Sequence, residues 1–150
     1  RNGSRRLSMS TILVDNLTGK TSAGSITVTS EGGAATQSLQ QGLIKVWGAV
    51  DQTSTGHPLY DSLNVSSTTD AAESHTIITI SNAMSNANYS VAGFGQAQDH
   101  GGSLGGFYGK STGTAARTMS TTSFTSDNRT PAGSADDLTY WSFQVAGDLA

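Results

Sequence analysis

This 150-residue chain contains no cysteine, which excludes a disulfide framework and a thiolate metal site. Charge is sparse at 13% of residues, and the net charge is −3. Arg1, Arg5 and Arg6 supply three of the eight basic residues, so from Met9 onward five basic side chains face eleven acidic ones. A nucleic-acid footprint needs clustered Lys and Arg, and this body is acidic instead. Nor is there an apolar run near the ~20 residues of a spanning helix, so no membrane insertion is expected. Leu7-Ser8-Met9-Ser10 is not the apolar core of a secretory signal. Met9-Ser10-Thr11 reads as a translation start, with Arg1 to Ser8 as an upstream extension outside the fold.

What the chain does have is Ser and Thr, 42 together, and 18 glycines. That composition is poor for helices and good for strands and tight turns. A chain of this length buries roughly 68–70% of its unfolded surface, enough for a core without metal or disulfide support.

The strongest patterns cluster between Trp47 and Gly95. Asp61 to Asp70, Thr76 to Ser81 and Tyr89 to Phe94 are short strand signals, and Asp70 to Ser74 and Asn82 to Asn88 are turn-forming gaps. Upstream, Thr11 to Asp15 and the alternating Ser25 to Thr29 predict two strands too small to stand alone. Glu31-Gly32-Gly33 breaks the pattern as a hinge, and Ala34 to Gln41 is the one stretch with helical character. Leu43 to Val50 alternates, with Ile44, Val46 and Val50 on one face and Leu43, Lys45, Trp47 and Ala49 on the other. Residues 51–58 form a loop. Arg117 to Phe124 is a polar strand candidate, and Tyr140 to Val145 reads as the best core strand. Trp47, Tyr89, Phe94, Trp141 and Phe143 are assigned to the core. The expected fold is all-β: an N-terminal β arm over residues 1–32, then an antiparallel, jelly-roll-like β-sandwich over 33–150.

Ile44-Lys45-Val46-Trp47, Asp61-Ser62-Leu63-Asn64-Val65-Ser66-Ser67 with Thr69-Asp70, Ile78 to Met84, and Ala87 to Val91 form a distinctive set of strings. Together they resemble a small domain of virion structural proteins from marine and cyanobacterial phages, usually described as tail-fibre or structural proteins. Leu13 to Leu17 followed by Gly24 to Val28 resembles the segment that precedes that domain. The match covers roughly residues 12 to 95. It departs at Ala71-Ala72-Glu73-Ser74-His75, which stands where a glycine-containing turn is the rule. The resemblance implies a non-enzymatic virion structural protein on the particle surface, expected as a homotrimeric tail-fibre or spike module for host attachment. Residues 1–32 would contact other virion proteins. The alternatives are a capsid decoration or head-fibre protein, and a glycan-binding or glycan-degrading tip.

Candidate chemistry is thin. His57, His75 and His100 lack metal-ligand spacing, and neither Asp127-Asn128 nor Asp136-Asp137 forms a complete calcium loop. No Gly-x-Ser-x-Gly elbow and no Gly-Lys-Ser/Thr phosphate cradle occurs. No catalytic residue, cofactor or metal is therefore assigned. The exposed surface is expected in two loops, the glycine-rich 96–114 and the segment 126–137. Binding candidates are Asp99, His100, Phe107 and Tyr108 in the first, and Asn128 and Arg129 in the second. Aromatic side chains on a glycine-flanked loop either stack on sugar rings or a protein partner, or pin the loop to the sheet.

Overall fold

Alternating side chains decide the body of this protein, and the two faces of each strand end in different environments. The computed structural model describes residues 12–97, 119–129 and 134–150. Among them the chain is all-β with antiparallel sheets, and it divides into two units, Arg1–Leu39 and Gln40–Ala150.

The first unit holds a hairpin of β1 (Thr27–Thr29) and β2 (Thr36–Ser38), registered with Val28 opposite Gln37. Its turn closes where Gly33, at φ 71°, donates its N–H to the Ser30 carbonyl at 2.8 Å. The helical stretch expected over Ala34 to Gln41 is thereby shortened to α1 (Leu39–Gly42). Thr36–Ser38 gains a strand partner instead, and one isolated helical turn repays little of its nucleation cost. Ile12 to Asp15 forms no strand among the described residues, and Ile12 and Leu13 stand 81% and 90% exposed.

In the second unit, β3 (Ile44–Val50), β4 (Leu59–Leu63), β7 (Ser90–Ala97) and β9 (Leu138–Ala146) form a sheet in the order β4-β3-β9-β7. A smaller sheet orders β5 (Val65–Ala72), β6 (His75–Ile80) and β8 (Ser123–Thr125) as β5-β6-β8. Val46, Gly48 and Val50 lie opposite Val145, Phe143 and Trp141, and these positions face inward. Ile78 and Ile80 of β6 and Phe124 of β8 meet them from the other sheet. The rings of Phe124 and Phe143 touch edge to face at 5.3 Å, joining the two layers into a sandwich. Met84, Tyr89 and Leu138 complete the core. Tyr89 keeps its hydroxyl satisfied by donating to the carbonyls of Ser120 and Ser123 at 2.9 and 3.0 Å.

The chain changes sheets at Asn64, which adopts φ 60°. Asparagine tolerates the left-handed conformation because its short side chain bonds locally. Here Asn64 Oδ1 accepts the Asn82 N–H at 2.7 Å while Nδ2 donates to the carbonyls of Lys45 and Asn82. The Asp-Ser-Leu-Asn-Val string is thus the corner that carries β4 of one sheet into β5 of the other.

Candidate functional site

The outer face of the four-stranded sheet carries the exposed aromatics. Register fixes its rows. Leu63, Trp47, Gln144 and Ala92 form one row, and Asp61, Ala49, Ser142 and Phe94 form the next. Tyr140 pairs with Gln96 in the third row, beside Tyr60, which the bulge between Ala49 and Val50 pushes out of the ladder. Tyr60 and Tyr140 stack with centroids 5.6 Å apart and planes 21° from parallel. Tyr60 also donates its hydroxyl to the Thr139 carbonyl at 3.1 Å, which fixes the pair. Partial desolvation of its phenol, followed by the Asp51 carboxylate, holds Tyr60 above the ordinary tyrosine value.

Trp47, Phe94 and Tyr140 wall a shallow cleft of about 240 Å³. The small residues Ala49, Ala92 and Ser142 line it as well, together with Gln144. Ser142 donates its hydroxyl to the Phe94 carbonyl at 3.3 Å and so holds β7 against β9 at the cleft.

This placement corrects the assignment of Trp47 and Phe94 to the core. Phe94 is 76% exposed and Trp47 is half-buried. The reason lies at their neighbours. On β7 the inward positions are Val91, Gly93 and Gly95, and a Cβ on Gly95 would sit 2.3 Å from Leu138 Cδ1. On β3 a Cβ on Gly48 would meet the Phe143 ring at 2.7 Å. Side chains from β9 already fill the interior there, so the large rings of β3 and β7 stand on the opposite face.

A second constellation is polar and buried. Gln52 Nε2 donates to Thr76 Oγ1 at 2.8 Å, and Gln52 Oε1 accepts from Asn128 Nδ2 at 2.7 Å and from the Leu138 N–H at 3.2 Å. His57, 1% exposed, reaches Thr76 Oγ1 through Nδ1 at 2.7 Å and lies 3.5 Å from Asp70 through Nε2. Nearby, Arg129 pairs with Asp127 at 2.6 and 3.3 Å. His75 Nε2 lies 3.7 Å from the same carboxylate without a hydrogen bond. Ser74 Oγ lies 3.2 Å from His75 Nδ1, but Ser74 is wholly buried, and that nitrogen also faces the Glu73 carbonyl at 2.8 Å. A nucleophile must reach substrate and hold its base through a nitrogen free to take the proton. This serine does neither.

Of the six binding candidates, Asp99, His100, Phe107 and Tyr108 lie outside the described residues. Asn128 is 2% exposed and bonded to Gln52, so the expectation of an exposed loop from 126 is corrected for Ser126, Asp127 and Asn128. The physical cause is the hydrogen-bonding demand of the Gln52 side chain, which draws this segment inward. Arg129 is partly exposed, with its guanidinium occupied by Asp127. No group of three or more His, Cys, Asp or Glu among the described residues is placed to hold a metal ion. Nor is any helix among them long and apolar enough to cross a membrane. No family model, curated protein or solved structure matches this chain.

Proposed function

We propose that this chain is a non-enzymatic structural module of a bacteriophage virion, one that assembles as a homotrimeric tail fibre or spike and serves host attachment. The observation that carries this reading is the apolar surface of the first unit. Ile12, Leu13, Val14, Leu17 and Val28 are between 50% and 90% exposed. Apolar area left in water forgoes about 25 cal/mol per Å² of stabilisation, so five such side chains within one short unit favour a covering partner. Copies of the same chain, or other virion proteins, are the partners that would cover it. The strings that resemble the phage domain fall on β3 to β7, which include the corner at Asn64, and those that resemble the segment preceding it fall in the first unit.

Capsid decoration or a head fibre is the second reading within the same class, and position on the particle separates the two. The test is gold-labelled antibody against the whole chain on particles purified from the cells that make it. Label at the tail supports the fibre or spike. Label over the head shell replaces it with the decoration reading. Particles without label contradict both.

A further inference from the structure

We infer that the aromatic outer face of the four-stranded sheet is a binding site for a neutral saccharide. The site stands on its own geometry, whether or not the chain belongs to a virion. Phe94, Tyr140 and Tyr60 are 76%, 49% and 58% exposed, Tyr60 and Tyr140 as a stacked pair, and Trp47 lines the cleft beside them. A ring face carries the negative part of the aromatic quadrupole, and the C–H bonds on the flat side of a pyranose carry the complementary partial positive charge. Stacking of that kind needs a broad, shallow support. At about 240 Å³ the cleft falls below the ~300–1,000 Å³ of pockets that engulf a small molecule, so its ligand lies across it.

Hydrogen-bonding groups alternate with the rings. Gln144, Ser142 and Gln96 occupy outward positions between the aromatic residues, at the spacing of neighbouring strand positions. Hydroxyls displaced from water need such partners, because an unpaired polar group costs more than a hydrogen bond gains. Charge then selects among sugars. Among the described residues the charged groups at this face are Asp61 on the outer row and Asp51 beside Tyr60. Lys45, the nearest cation along β3, turns its ammonium onto the carbonyls of Gln40 and Leu43. The Asp61 and Asp51 carboxylates repel a carboxylated or sulfated polymer and leave a neutral one unopposed. A second copy of this face would set two acidic rims together, which disfavours a self-contact there.

The two tryptophans make the test direct, since Trp47 lines the cleft and Trp141 is fully buried. The whole chain is titrated with a soluble β-glucan, an α-glucan, a mannan and a galactan, with alginate as the anionic control. Acrylamide quenching of Trp47 and retardation in gels containing each polymer are the readouts. At least one neutral polymer is expected to shield Trp47 and retard the protein, and alginate to do neither. Phe94→Ala and Tyr140→Ala should each weaken retention about tenfold, the scale of a lost aromatic anchor. Because Phe94 projects into solvent, the urea midpoint of Phe94→Ala should match that of the parent. The inference is overturned if none of the four neutral polymers shields Trp47, if alginate binds as well as they do, or if Phe94→Ala is retained like the parent. It is also overturned if Phe94→Ala lowers the solution mass, for the face is then a contact between copies.

Discussion

Replacing Gln52 with leucine tests how much of the sandwich depends on one buried amide. Gln52 is 2% exposed and bridges three segments: the β3–β4 loop it sits in, Thr76 of β6, and the stretch from Asn128 to Leu138. Leucine keeps much of the volume and removes every side-chain bond, leaving the Gln52 N–H on the Leu138 carbonyl at 2.9 Å. Thr76 Oγ1 retains His57 Nδ1 at 2.7 Å, and Ser126 Oγ retains the Thr76 N–H at 2.9 Å. The Asn128 amide and the Leu138 N–H lose their shared acceptor, and each buried orphan costs about 1–3 kcal/mol. The expected loss is therefore about 2–6 kcal/mol, against a total stability of about 5–15 kcal/mol for a domain. Equilibrium urea unfolding followed through the buried Trp141 reads it as a lower midpoint at an unchanged slope. Asn128→Leu alone should also destabilise, and the double variant should lose less than the sum, with a coupling of about 0.5–3 kcal/mol. A loss under about 1 kcal/mol for Gln52→Leu, or strict additivity, would show that these bonds do not hold the segment in place.

Two further outcomes follow from local geometry. Gly95→Ala places a methyl 2.3 Å from Leu138 Cδ1 and 3.0 Å from the Tyr140 carbonyl oxygen, so it should cost about 1–3 kcal/mol and lower Tm, while Gly32→Ala, with nothing within 4 Å, should leave Tm unchanged. Hydrogen bonds from Thr53 and then Ser54 hold the Asp51 carboxyl below its ordinary value of 3.8, so its contribution is in place above that pH and is lost as the pH falls through the lower folded value. Asp51→Asn should accordingly flatten the acid limb of the stability–pH curve, and an unchanged limb would show that the loop bonds do not stabilise the carboxylate.

The strands were legible where alternation is strong. The reading of Thr76 to Ser81 against the observed His75–Ile80, and of Tyr140 to Val145 against Leu138–Ala146, differs only at the ends. Both are rich in β-branched or aromatic residues between turn-forming stretches, which marks a strand and its extent. The same alternation misplaced Trp47 and Phe94, because a period of two defines two faces without saying which is inside. The missing clue was glycine. Gly48, Gly93 and Gly95 occupy the inward slots beside these aromatics, and a glycine inside a strand marks a place where another side chain crosses. The aromatic cleft was therefore within reach of the sequence. Burial of Asn128 was not, since its partner Gln52 lies 76 positions earlier and no local pattern announces a bond of that span.

Assembly through the first unit is the claim on which the functional reading turns, and solution mass by light scattering tests it most directly. The measurement sets the whole chain beside one that starts at Gln40, where the second unit begins. A trimer is expected for the whole chain and a monomer for the shortened one. A single-chain mass in both would contradict it, leaving the exposed apolar residues from Ile12 to Val28 without the partner assigned to them.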